Sequence, residues 1–344
     1  MRHALGYLLF AALICACVPA AAQQPAAQQP AEQRVPVPPS KDIPPLPPDF
    51  MQSLVVAKSP ALSGRLAFTV NVYNYDRIFV LDLETRRVEA LINGPGSNSS
   101  PAWSPDGKEI AFTSTRDGDK EIYISDWSGE RQERLTNHAG ADDSPEWSPN
   151  GKRIAFQRET SPSTTNIFAI ERSTGNIEQL TRFRGKNVTP RWSRDGQRIA
   201  YSTNRFWPGW DVCIWNLERG VENCPLSGKS SYCRPAWSRN GSHLLFSYGM
   251  GPQVAVAMMT FPGGDWQRLT DAAGREYDAV YSPKDDFVAF SAARPEPDKF
   301  AIMLYNNATK TSAPLLETRF PLRYLSWGSA TTMALEAGRS RGKR

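Results

Sequence analysis

Histidine, the residue most used for acid–base and zinc chemistry, occurs only three times in 344 residues, as His3, His138 and His243. No two of them share the close spacing that a metal site or a proton relay requires. The chain has no Gly-x-Ser-x-Gly elbow, no phosphate loop and no dinucleotide fingerprint. Asp117-Gly118-Asp119 reads as a fragment of a calcium loop, without the remaining ligands such a loop needs. The expectation is therefore no cofactor, no metal and no catalytic residue within a local motif. Carboxylates from distant segments can still converge, so the elements that position them decide the question.

Those elements repeat. Trp103-Ser104-Pro105-Asp106-Gly107-Lys108 returns as Trp147-Ser148-Pro149-Asn150-Gly151-Lys152, Trp192-Ser193-Arg194-Asp195-Gly196 and Trp237-Ser238-Arg239-Asn240-Gly241. Weaker copies begin at Tyr281 and Trp327, so the aromatic spacing is 44, 45, 45, 44 and 46 residues. An apolar triplet follows each copy but the last, as in Ile110-Ala111-Phe112 and Ile154-Ala155-Phe156. A second apolar run and a Leu-Thr end complete the unit. The runs are short and rich in β-branched and aromatic residues, which marks strands and excludes paired helices. Each repeat reads as four strands, a to d, with the tryptophan on strand a. Leu66-Ala67-Phe68 supplies a strand b before the first tryptophan, and Leu325-Ser326-Trp327 supplies a strand a after the last triplet. The expectation is an all-β, six-bladed β-propeller of four-stranded blades over residues 64–329. The C-terminal strand would join the N-terminal blade and protect both edges.

Residues Leu135 to Phe156 carry the full pattern: a Leu-Thr end, Asp143, Pro145, then Trp147-Ser148-Pro149-Asn150-Gly151-Lys152 and Ile154-Ala155-Phe156. This resembles the WD-like repeat of the periplasmic TolB family, in which a six-bladed propeller is implied. TolB proper carries an α/β domain ahead of its propeller. Here residues 23–63, rich in Pro, Ala and Gln, stand in that place, so the resemblance is to the propeller alone and the Tol-system role is not carried over with it. Similar repeats form the non-catalytic propeller of prolyl oligopeptidase relatives.

Residues 1–22 read as an export signal: Arg2 and His3 precede the apolar run Leu5 to Val18, which is too short to span a bilayer. Pro19-Ala20-Ala21-Ala22 offers a cleavage site. Ile14-Cys15-Ala16-Cys17 offers the rival, a lipobox that would make Cys17 a lipidated N-terminus. Either implies a periplasmic or otherwise exported protein, the second anchored to the membrane. Residues 23–48 form a Pro-rich linker expected to stay extended, and residues 330–344 a basic tail. In an oxidising compartment Cys213 and Cys224 sit nearly opposite one another across the Leu217–Gly220 turn, with Cys233 as the rival partner for Cys224.

The net charge of +5 is spread along interleaved residues of both signs, with no dense basic stripe, which argues against nucleic acid as a partner. The informative residues are those that depart from the repeat. Phe206, Trp207 and Trp210 fill one b-to-c connection where the first full repeat has polar Arg116-Asp117-Gly118-Asp119. They either cover a neighbouring blade or meet a partner. Asp142, Asp143, Glu146, Arg191, Arg234, Asp278 and Arg323 fall on inner strands, near a channel mouth. The function expected is that of a monomeric propeller binding an envelope protein or peptide segment. The alternative is a carbohydrate or peptide hydrolase or lyase at the channel mouth.

Overall fold

The computed structural model describes residues 44–58, 62–92, 94–206, 209–228, 230–271 and 274–329. The structure is all-β, as the sequence leads one to expect. Short antiparallel strands are joined by tight turns, and among the described residues the one helical element is a 3-10 turn at Met51–Ser53. No helix among the described residues is long and apolar enough to cross a membrane.

The blade count needs correction. The repeat predicts six separate four-stranded sheets, and the structure has four, not six. The strands of the two repeats from Tyr232 to Thr318 belong to a single nine-stranded sheet. The join is local. Strand d of the earlier repeat is Trp266–Arg268, as short as Val88–Ala90, Gln132–Arg134 and Ile177–Gln179 in sheets that stay separate, and it pairs with Ala257, Met258 and Met259. The start of strand c at Val254 is left uncovered, so its N–H donates to Gly274 O at 3.0 Å, and Val254 pairs in parallel with Arg275. Unpaired backbone groups find a partner wherever the chain passes. Here the chain passing by is the next inner strand. The equivalent approach of Thr165 to Lys186 stays an isolated bridge and leaves its sheets separate.

Leu322–Gly328 lies antiparallel against Arg65–Val72, with Leu66 opposite Trp327. Each inner strand packs against the next, and Leu322–Gly328 contacts both Arg275–Tyr281 and Asn98–Trp103. The inner strands thus surround a central channel. Consecutive apolar triplets arise because strand b is buried on both faces. Ile110 and Phe112 face the first sheet while Ala111 faces the third, and all three are fully buried.

The repeated turn residues act locally. Ser104 Oγ bonds Asp106 Oδ1 at 2.7 Å and accepts the Glu109 N–H at 2.9 Å, closing the turn before strand b. In the Leu-Thr ends, Thr136 and Thr181 accept the strand-c N–H of Ile122 and Ile167 at 2.9 Å. The segment before the first sheet also docks. Phe50 is fully buried and stacks on Phe79 at 5.0 Å, and Val55–Val56 adds to the outer edge of Thr311–Thr318.

Candidate functional site

All six inner strands share one backbone irregularity. Ser100, Ser144, Thr189, Arg234, Asp278 and Tyr324 have φ of 54°, 56°, 53°, 55°, 56° and 56°. At each of them the pairing with strand b skips, as between Ser99 and Ala102. These are β-bulges, and left-handed backbone at a residue other than glycine costs on the order of 1 kcal/mol or more. Side chains of the preceding sheet accept from four of the six bulged amides. Thr113 Oγ1 accepts the Ser144 N–H at 3.2 Å, Gln157 Oε1 that of Thr189 at 2.9 Å, and Ser202 Oγ that of Arg234 at 2.9 Å. Asp278 Oδ2 accepts the Tyr324 N–H at 2.9 Å.

The mouth that the bulges surround is asymmetric. The bulge residues on one side are Ser100, Ser144 and Thr189, and on the other Arg234, Asp278 and Tyr324. Ion pairs stand on both sides. Arg234 pairs with Asp278, Arg323 lies 3.5 Å from Asp76, and Lys120 lies 2.7 Å from Asp143, beside the serines. Asp143 also accepts from Thr113 at 2.9 Å and Ser100 at 3.3 Å. The Asp143 charge raises the Lys120 ammonium above its ordinary value against the effect of burial, with smaller help from Tyr324 and Asp76. Burial opposes the charge of Arg234, yet Asp278 and Tyr324 hold it above its ordinary value. Its guanidinium lies 5.1 Å from the Tyr277 ring and 5.3 Å from the Tyr324 ring. The Lys120 and Arg323 side chains are 46% and 45% exposed, so their pairs are weak and open to exchange with a ligand.

The structure brings Asp143, Arg234, Asp278 and Arg323 together at this mouth. It does not bring Asp142 there. The Asp142 carboxylate is fully buried and receives two bonds from Arg158, at 2.8 and 2.7 Å. Burial pushes it up to about 7, although Arg158 pulls the other way. Glu146 and Arg191, 3.7 Å apart, lie toward the opposite end, in a cavity of about 210 Å³ that Trp103, Trp147, Trp192 and Trp237 also line. Burial raises Glu146, and Arg191 counters part of the effect.

Phe206 is 53% exposed, and so is much of Tyr73 and Met250, which occupy the corresponding b-to-c turns of two other sheets. Trp210 lines a pocket of about 470 Å³ with Arg234, Tyr277, Met250 and Cys233. Trp207 and Cys17 lie outside the described residues. Cys213 and Cys224 are joined by a disulfide, with Cα atoms 4.0 Å apart, and Cys233 is free. Cys233 is partly open to solvent, but burial of its thiol pushes it up to about 11, which suits a packing role better than a nucleophile. Glu222 lies beside the disulfide and pairs with Arg205. Asp117 accepts from Tyr123 Oη at 2.5 Å and lies 3.4 Å from Arg134, so its carboxylate serves a side-chain network.

Sequence reasoning missed Lys120, Asp76, Tyr324 and the residues behind the bulges. A signal existed for the last group. The residue after every apolar triplet (Thr69, Thr113, Gln157, Ser202, Ser247, Ser291) is a hydroxyl or an amide.

A family model for the TolB beta propeller domain matches residues 51–205 and 144–321. No curated protein matches the sequence. Among solved structures the chain is similar to TolB from Acinetobacter baumannii at 20% identity, covering 78% of this chain and 67% of that one, with TM-score 0.69. Hydrazine synthase from Kuenenia stuttgartiensis follows at 15% identity, covering 80% and 47%, with TM-score 0.66. A puromycin-hydrolyzing peptidase from Mycobacterium tuberculosis is similar at 15% identity, covering 78% and 45%, with TM-score 0.55. This chain spans less than half the length of the last two. At these identities the likeness is one of fold, and the fold hosts both binding proteins and enzymes.

Proposed function

We propose that this chain, which belongs to the TolB β-propeller domain family, is a binding module of the cell envelope that grips a polypeptide segment at the bulged mouth. The observation that carries this reading is the run of oppositely charged pairs around that mouth. Arg234 and Asp278, Arg323 and Asp76, and Lys120 and Asp143 alternate in sign, with the hydroxyls of Ser100, Ser144 and Thr189 beside the last pair. Such a mouth offers donors and acceptors to a peptide backbone and to side chains of either charge. Alternation leaves little net field to concentrate a small ion, and so fits a mixed polypeptide better than a phosphate or a metal. Exposed Tyr73 and Met250 stand at the rim, where apolar anchors add affinity.

Site-specific photo-cross-linking in intact envelopes tests the reading. A cross-linker at Tyr73 or Met250 should capture a defined protein, and Asp278→Asn should reduce that capture. A cross-linker at Arg194, beside the tryptophan cavity, should not capture it. Equal capture at both ends, or capture indifferent to Asp278→Asn, refutes it.

A further inference from the structure

Two neighbouring segments at the bulged end form a unit separate from the channel. Thr181–Lys186 and Asn204–Phe206 are pinned together: Asn204 Oδ1 accepts the Lys186 N–H at 2.8 Å, and the Asn204 N–H donates to Lys186 O at 3.2 Å. Arg205 is sandwiched between them, its guanidinium 4.0 Å from the Phe183 ring and 4.5 Å from the Phe206 ring. Its charge is spent on Glu222. The Phe206 ring is thus held on one side and open to solvent on the other.

The surrounding charge is of one sign. Arg182 and Arg184 are exposed, and among the described residues neither forms an ion pair. Lys186 stands beside them, its Nζ donating to Pro162 O at 3.1 Å. Of the acids in the same sheet, Glu222 is paired to Arg205 and Asp211 is buried, and Glu159 of the preceding sheet is half-buried. Gly185, at φ 74°, turns the first segment sharply and lies so close to Asn204 that a Cβ would meet Asn204 Oδ1 at 2.8 Å. The cations and the exposed ring therefore stand on a turn.

We propose that Arg182, Arg184, Lys186 and Phe206 dock this protein on an anionic phospholipid surface. Cations complement lipid phosphates, and an exposed aromatic ring between them enters the interfacial zone where such rings are favoured. An acidic peptide is the competing partner for the same charge. Extended peptides bind through grooves or sheet edges that engage their backbone, and this patch is a pair of turns around an exposed ring. The chain also enters the described structure at this end: Pro44 O accepts from Arg77, at the start of strand c in the first sheet. Each surface cation contributes roughly fivefold to partition onto an anionic bilayer, so three together contribute about a hundredfold.

Vesicle flotation of the full chain tests this. Vesicles of phosphatidylcholine alone are compared with vesicles containing phosphatidylglycerol, at low and high salt. The apolar run Leu5 to Val18 is common to all variants, so variants are compared at one lipid composition. The wild type should favour phosphatidylglycerol and lose that preference at high salt. Arg182→Glu with Arg184→Glu should lower binding more than about 25-fold, and Phe206→Ala should lower it less, with thermal unfolding unchanged in both. If the glutamate pair impairs folding, Arg182→Gln with Arg184→Gln replaces it. Equal partition onto both vesicle types, or unchanged binding by the arginine variants, overturns the proposal. Binding of polyglutamate by the patch without binding to phosphatidylglycerol vesicles assigns it to an acidic protein and overturns it as well.

Discussion

The two ends of the channel use the same inner strands and opposite kinds of residue. At one end Trp103, Trp147 and Trp192 are at most 7% exposed. Trp147 Nε1 donates to Ala102 O at 3.1 Å, and Trp237 Nε1 to Arg191 O at 3.3 Å, so each of these two indoles ties one inner strand to the one before it. At the other end the bulges carry serine, threonine, arginine, aspartate and tyrosine in turn, with charges gathered on one side. Where the repeat is kept, it holds neighbouring sheets together. Where it is abandoned, it produces a surface that differs from one side to the other. Recognition of a particular partner requires that difference, because a mouth of identical residues would present the same chemistry in every direction.

The largest effect should come from adjacent carboxylates that belong to different environments. Asp142→Ala removes both bonds between this carboxylate and the buried Arg158 and should cost about 3–5 kcal/mol. Asp143→Ala, one residue on, removes a partly exposed pair with Lys120 and should cost about 1 kcal/mol or less from that pair, while weakening partner capture. Denaturant unfolding of both variants measures the contrast, and similar losses would erase it. Trp147→Ala tests the structural end. Removal of this buried ring should cost about 3–5 kcal/mol, and variant that still folds should bind normally. Reduced capture at full stability would mean that the tryptophan end also takes part in binding.

Arg234→Ala probes the bulged end. Partner affinity should fall by about 2 kcal/mol, the scale of an interface hot spot, as measured by titration against the captured partner. Unchanged affinity would leave Arg234 as a brace for Asp278. The smallest effect concerns backbone strain. Ser100→Gly relieves a left-handed conformation and adds freedom to the unfolded chain, so stability should change by no more than about 1 kcal/mol. A loss well beyond that would mean that the Ser100 hydroxyl, through its bond to Asp143, matters more than the strain.

Residues alone determined that this chain is β-rich, that its unit recurs every 44 to 46 residues, and that the unit resembles the TolB repeat. Those properties rest on local preferences: Pro-Asp-Gly turns, triplets buried on both faces, and Leu-Thr ends that recur at short range. The candidate residues were legible as departures from the pattern, but their grouping was not. Asp142 and Asp143 are neighbours in sequence, and strand alternation sends one into the interior and the other to the mouth. Lys120 meets Asp143 from an adjacent sheet, and Asp76 meets Arg323 from the far end of the chain. The fusion of two repeats into one nine-stranded sheet depends on which edge a passing strand meets. Charge partners and sheet boundaries are relations across space, so only the tertiary structure could decide them.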